Sequence, residues 1–225
     1  MTLREIVDKE ILEFVEKPGR YIGGEWNSTT KTLDESPCSM VFCFPDVYEV
    51  GMSHLGMQIL YGLINETTPY LLERCFMPWP DMIGKLKEKS LPLFSLESYT
   101  PLSKFHLVGF TLQYEMSYTN ILAMLGLGGI PLYSKDRQEG GHPLVIGGGP
   151  CSVNPEPIAD FFDLFLIGDG EEILPEIMRI TEGYLVDGQI NNRLALLKEL
   201  SQLKGIYVPQ FFEARYEGGV YLGTF

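Results

Sequence analysis

The sequence predicts an α/β protein built on a doubly wound, mostly parallel sheet of about five strands, and three observations carry that reading. Short apolar runs without polar alternation, such as Leu144-Val145-Ile146 and Leu164–Ile167, fit strands buried on both faces. Stretches with helical spacing separate these runs, which is the βαβ pattern of a parallel sheet covered by helices. The clearest strands also exit into glycine or polar turns, with Gly147-Gly148-Gly149-Pro150 after one and Gly168-Asp169-Gly170 after the other. Glycine at such an exit lets the backbone turn sharply and approach a ligand closely.

Taken in order, Leu3–Val15 places Ile6, Ile11, Leu12 and Val15 at helical spacing, and Lys17-Pro18-Gly19 stops the pattern. Arg20–Leu33 is turn-rich and polar, and is expected to wrap over the main domain, anchored by Tyr21 and Trp26. A first strand follows at Met40–Phe44, then a helix over Ser53–Asn65 with Ser53 as N-cap, and with Leu55, Ile59 and Leu63 on one face and Met57, Leu60 and Ile64 beside it. Strands are expected at Tyr70–Phe76, Pro92–Leu96 and Leu107–Leu112. Pro78-Trp79-Pro80 introduces a charged helix that ends near Ser90, and Ser117–Leu125 forms another that stops at Gly-Leu-Gly-Gly. Pro155–Phe161 connects the last two strands. The helix after Gly170 presents Ile173, Ile177, Ile180 and Tyr184. Asp169 and Glu172 have capping-box spacing there, and Pro175 is expected in the first turn. Asn191–Leu203 is one more helix, and the remainder reads as extended segments, as where a longer protein is interrupted. The arrangement is of flavodoxin-like or Rossmann-like style.

With 225 residues, 45% of them hydrophobic, the chain can bury one substantial core. Its net charge of −13 argues against direct nucleic-acid binding, which needs a basic face. No apolar run approaches the ~20 residues that span a bilayer. The N-terminus has no signal-peptide core, so the expected location is the cytoplasm. The cysteines Cys38, Cys43, Cys75 and Cys151 form no CxxC pair, and Cys43 reads as a buried thiol.

In a parallel sheet the four strand tails FPDVYEVG, QYE, GGGPCS and GDGEE meet along one edge, where open α/β sheets bind ligands. Gly147–Ser152 gives two glycines of a GxGxxG fingerprint, but serine takes the third place and SVNPEP delays any helix. A dinucleotide oxidoreductase therefore stands as the weaker alternative. Asp46, Glu49, Glu115, Asp169, Glu171 and Glu172 cluster at the expected mouth and disfavour a polyphosphate. They suit a large ligand rich in amide donors. Of the three histidines only His54 falls on this side, as a cap or a ligand. No acid–base pair or nucleophile emerges, so no catalytic residue and no metal ligand is assigned.

The segments FPDVYEVGMSHLGMQILY, ERCFMPWPDM, PLFSLES, VGFTLQYEMSYTN and GGGPCSVNPEPIADFFDLFLIGDGEE resemble the N-terminal part of cobalamin-type radical SAM proteins (Fe–S oxidoreductases), over nearly the whole chain. The resemblance implies a cobalamin-binding-like domain that precedes a radical SAM barrel. The three-cysteine motif that holds the iron–sulfur cluster and cleaves S-adenosylmethionine is absent here. The cobalt-binding loop of related domains reads DxHxxG, whereas Asp46–Gly51 keeps the outer residues and carries Tyr48 at the histidine position. By resemblance the corrin and its tail would lie against Asp46, Tyr48, Ser53, His54, Thr111, Gln113, Glu115, Gly147, Gly148, Gly149, Pro150, Ser152, Gly168, Gly170 and Glu171.

The expected organisation is a leader at 1–37, a cobalamin-binding-like domain at 38–185 and a helix plus linker at 186–225 toward a radical SAM domain of the same polypeptide. The function implied is an accessory cofactor-binding module, non-catalytic by itself. A second reading is a degenerate domain used for packing or partner recognition, whose cleft is expected to be filled by Tyr48, Met52 and Tyr114.

Overall fold

The structure, a computed structural model, describes residues 1–138 and 141–224. Helix α1 (Leu3–Glu10) opens with a capping box between Thr2 and Glu5 and buries Val7. The expected helix does not run on to Val15. It gives way to a single 3-10 turn at Leu12–Phe14, which still buries Ile11 and Val15.

The sheet forms from β1 (Ser39–Phe44), β2 (Leu71–Phe76), β3 (Leu107–Thr111), β4 (Leu144–Gly148) and β5 (Leu164–Leu166), all parallel, in the order β2-β1-β3-β4-β5. A short hairpin of β6 (Leu185–Val186) and β7 (Gln189–Ile190) stands apart, and β8 (Ile206–Tyr207) adds antiparallel to β5. The chain closes in a separate hairpin, β9 (Ala214–Glu217) with β10 (Val220–Thr224). A mostly parallel sheet wrapped by helices is thus the architecture, of flavodoxin-like or Rossmann-like type.

Alternate residues of each strand face different layers. Val41, Cys43, Val108, Phe110 and Val145 pack toward α1, α4 (Pro80–Glu88) and α5 (Tyr118–Leu127). Met40, Phe42, Leu144 and Ile146 pack toward α3 (Leu55–Thr67), α6 (Gly170–Glu182) and α7 (Arg193–Leu200). Residues 186–208, expected as a helix plus linker, contribute α7 and β8 to the same core and sheet.

Several local expectations are corrected. Residues 92–96 form no strand, only a bridge between Phe94 and Pro101. Leu93 donates to the carbonyl of Leu127 and Leu96 to that of Arg74, and Tyr99 at φ 59° folds the segment back before it can pair further. The first loop forms a helical turn, α2 (Tyr48–Gly51), before α3 begins. The hydroxyl of Ser53 donates to the Val50 carbonyl at 2.8 Å and closes that turn, so it is His54 that caps α3. Met57, Tyr61 and Ile64 face the core, while Leu55 and Ile59 are exposed.

Tyr21 anchors the leader by accepting from the amide of Trp79, whereas Trp26 is 99% exposed and anchors nothing. Asp169 stands at the N-cap of α6 without a side-chain capping bond. Pro175 lies in the second turn. The amide it lacks is one that the Glu171 carbonyl would have accepted, and this is tolerable because Glu171 is exposed.

At the end of the sheet away from the strand exits, Asp163 holds two guanidinium groups. Its Oδ2 accepts from Arg137 at 3.2 Å, from Arg193 at 2.8 Å and from the Val145 amide at 2.7 Å. All three side chains are buried, and nothing in the local sequence pattern pairs residues so far apart.

Candidate functional site

The strand exits converge as expected, and a cleft of about 330 Å³ opens between the sheet face and the N-terminal ends of α3 and α6. Its floor is Met40, Phe42, Gly109, Ile146, Gly148 and Leu166, and its walls include Gly56 and Leu60 of α3 and Leu174 of α6. Apart from Gly148 the floor was missed in the sequence, although strand parity places Met40, Phe42, Ile146 and Gly148 on one face. Gly109 in mid-strand was a further signal for close approach. A side chain at Gly109 would meet the Met40 methyl group. A second compartment of about 480 Å³ adjoins the cleft beyond β1 and β3 and shares His54, Gly56 and Gln113 with it.

Ten of the expected residues line the cleft: His54, Thr111, Gln113, Gly147, Gly148, Gly149, Pro150, Gly168, Gly170 and Glu171. Asp46 and Ser53 line the adjoining compartment. Three lie elsewhere. Ser152 is buried and donates to the Gly149 carbonyl at 2.6 Å, so it shapes the turn from behind. Glu115 is exposed and lines neither compartment. Tyr48 turns away from the cleft, packing edge-on against Phe76 and donating to Glu25 of the leader at 2.9 Å. Burial, with Glu25 close by, pushes its phenol up to about 12.

The glycine turn after β4 is set by its backbone. Gly149 has φ 105° and ψ −176°, a region only glycine occupies readily. A Cβ there would stand 3.1 Å from both the nitrogen and the oxygen of Leu112. That closeness follows from the Leu112 amide donating to Gly148 at 2.6 Å and the Cys151 amide donating back to Leu112 at 3.0 Å. The turn leads into a 3-10 helix at Pro150–Val153, so the glycines do not themselves open an α-helix as a dinucleotide fingerprint requires.

The chemistry of the mouth is one-sided. Gln113 donates its amide to the Thr111 hydroxyl, leaving the Gln113 carbonyl free to accept. Asp46, Asp169 and Glu171 add carboxylates, and neither compartment is lined by Lys or Arg among the described residues. No group of three His, Cys, Asp or Glu among the described residues is arranged to hold a metal ion. Cys38, Cys43 and Cys75 are buried, and burial with Glu115 nearby raises the Cys151 thiol, so none is a ready nucleophile. No helix among the described residues is long and apolar enough to cross a membrane.

An uncharacterised protein of Methanocaldococcus jannaschii, MJ0966, is 24% identical over 173 residues, which is 75% of this chain and 31% of the relative. The chain thus spans about a third of the length of the relative it matches. No solved structure matches. Residues 56–209, more than two thirds of the chain, match the family described as radical SAM proteins, N-terminal; this stretch carries β2 to β8 and most of the cleft. The chain belongs to the N-terminal family of radical SAM proteins.

Proposed function

We propose that this chain is the cofactor-binding module of a radical SAM protein, non-catalytic by itself, and that its cleft takes cobalamin. The observation that carries the reading is the open, mostly apolar cleft with an acceptor-rich mouth and no cationic side chain. A ligand fringed with primary amides supplies donors to the Gln113 carbonyl, Asp169 and Glu171, whereas a dinucleotide would bring phosphates to carboxylates. The glycines at 147–149 admit the ligand's body close to the backbone, and Thr111 offers its hydroxyl. Bound cobalamin would supply a cobalt centre able to carry a methyl group or exchange an electron. The iron–sulfur cluster and S-adenosylmethionine are assigned to a radical SAM domain of the same longer polypeptide, which is the expected partner.

The packing or partner-recognition reading draws support from exposed apolar side chains at the mouth, among them Val50, Leu55 and Tyr114. Its own expectation of a filled cleft weighs against it. Tyr48 is drawn to Glu25, and Met52 lies against Arg74 with its sulfur 3.3 Å from the guanidinium. Titration with hydroxocobalamin separates the two. Binding gives a visible spectral shift and co-elution in gel filtration. Neither effect, with the chain alone or joined to the rest of its polypeptide, would reject the cofactor reading. The same titration with NADH or FAD tests the dinucleotide alternative.

A further inference from the structure

The one histidine at the site has a lone pair already committed. His54 lies where the two compartments meet and lines both. Its Nδ1 accepts the backbone N–H of Met57 at 3.1 Å and so caps α3. In a neutral imidazole with Nδ1 accepting, the proton resides on Nε2. Two neighbours fix the ring in that pose. Phe44 stands 5.3 Å away, centroid to centroid, at 51°. The ring also lies close to Gly56, where a Cβ would come within 3.1 Å of the imidazole Cε1. No residue among those described takes the Nε2–H.

We infer that His54 is a fixed hydrogen-bond donor at the junction of the two compartments, selecting a ligand that offers an uncharged carbonyl oxygen there, and that it does not ligate a metal. Ligation through Nε2 would require that nitrogen to give up its proton. Ligation through Nδ1 would uncap the helix. The Nε2–H is set among acceptors, with Asp46, Asp169 and Glu171 lining the same compartments and one of the two Gln113 amide protons already given to Thr111. The tautomer follows from geometry on its own, whereas the identity of the ligand rests on the cobalamin reading.

The test uses the chain as it stands. Long-range proton–nitrogen NMR of the labelled protein, with His54→Asn to assign the signals, is expected to show Nε2 protonated and Nδ1 bare. An Nδ1–H tautomer overturns the inference with no ligand present. Hydroxocobalamin binding to three variants then separates capping from donation. Asparagine caps a helix and donates, aspartate caps without donating, and alanine does neither. His54→Asn is expected to keep melting temperature and affinity. His54→Asp is expected to keep the former while weakening binding about tenfold, and His54→Ala loses both. Gly56→Ala, which displaces the ring without removing it, is expected to weaken binding as well. Wild-type affinity in His54→Asp, or histidine-nitrogen hyperfine coupling on bound cob(II)alamin that vanishes in His54→Ala, overturns the donor role. Failure of the wild-type chain to bind hydroxocobalamin rejects the cobalamin reading and the selection role with it, while the NMR result still decides the tautomer.

Discussion

The phenol of Tyr48 and the carboxylate of Glu25, 2.9 Å apart, join the loop after the first strand to the N-terminal leader. The other oxygen of Glu25 accepts from Arg74 at 3.2 Å, and Arg74 in turn holds Glu97 at 2.7 Å. Tyr48, which on the proposed cobalamin reading stands where a cobalt-binding loop would carry histidine, is therefore committed to a structural bond. Tyr48→Phe is expected to cost about 1 kcal/mol of stability without altering ligand affinity, as read by denaturant titration and hydroxocobalamin binding. Tyr48→His is expected to create no cobalt ligand, because the side chain points at the leader.

A pH dependence follows from the same bond. The Tyr48 and Tyr70 phenols are pushed up to about 12, by burial first and then by Glu25 and Glu182 respectively. An unfolded tyrosine titrates at about 10. The folded state therefore binds these protons more tightly, and their contribution is complete below about pH 10 and lost as pH rises toward about 12. Denaturant midpoints measured from pH 8 to 12 are expected to fall in that window, and the fall is expected to be shallower in Tyr48→Phe. An unchanged profile in the variant would show that Tyr48 contributes nothing to it.

Gly149 is held to glycine by both its backbone conformation and its neighbours. Gly149→Ala meets both a glycine-only backbone conformation and the Leu112 main chain at 3.1 Å. The expected cost is about 1–3 kcal/mol. Ligand affinity is expected to fall with it, since the turn must shift to relieve the contact. A variant as stable as wild type would mean that the turn has another low-energy form.

The Asp163 clamp predicts the opposite pattern. Asp163→Asn leaves Arg137 and Arg193 buried without their shared counter-charge, a change expected to cost about 3–5 kcal/mol. Because the clamp lies at the far end of the sheet from the cleft, the fraction that remains folded is expected to bind ligand with unchanged affinity.

Trp26 offers the simplest check of the leader. At 99% exposure, Trp26→Ser is expected to alter stability by no more than about 0.5 kcal/mol. It is also expected to remove the more quencher-accessible component of the fluorescence, leaving Trp79, which is 42% exposed and overlain by Arg20. A blue-shifted, unquenched Trp26 would mean that the leader packs differently.

What the sequence disclosed and what it hid divide along the range of the interactions. The five parallel strands and the glycine turns after two of them were legible because apolar runs and turn chemistry are local. The convergence of Thr111, Gly147–Gly149 and Gly168–Glu171 followed from parallel topology alone. The orientation of Tyr48 depends on Glu25, 23 residues away, and no periodicity reports that. The core face of α3 was not legible because LGMQILYGLINET is apolar nearly all round, so Leu55 and Ile59 compete with Met57 and Ile64 on spacing. The cap fell one residue later than expected because Ser53 and His54 can each accept a helix amide, and the turn at Tyr48–Gly51 used the serine first. The segment 92–96 has a strand's composition, but Glu97 and Tyr99 pull it into a loop along the edge of β2.

On the proposed reading, the direction of β8 bears on how a ligand would enter and leave the cleft. Ile206 pairs with Leu166 and Tyr207 with Phe165, so this strand runs back from the cleft toward the opposite end of the sheet. There Gln210 meets Gln138, beside the Arg137 clamp. The segment that follows β8 consequently leaves on the side remote from the mouth. A bulky guest can be exchanged without displacing that segment, so shortening the β9–β10 hairpin would leave the rates of loading and release untouched.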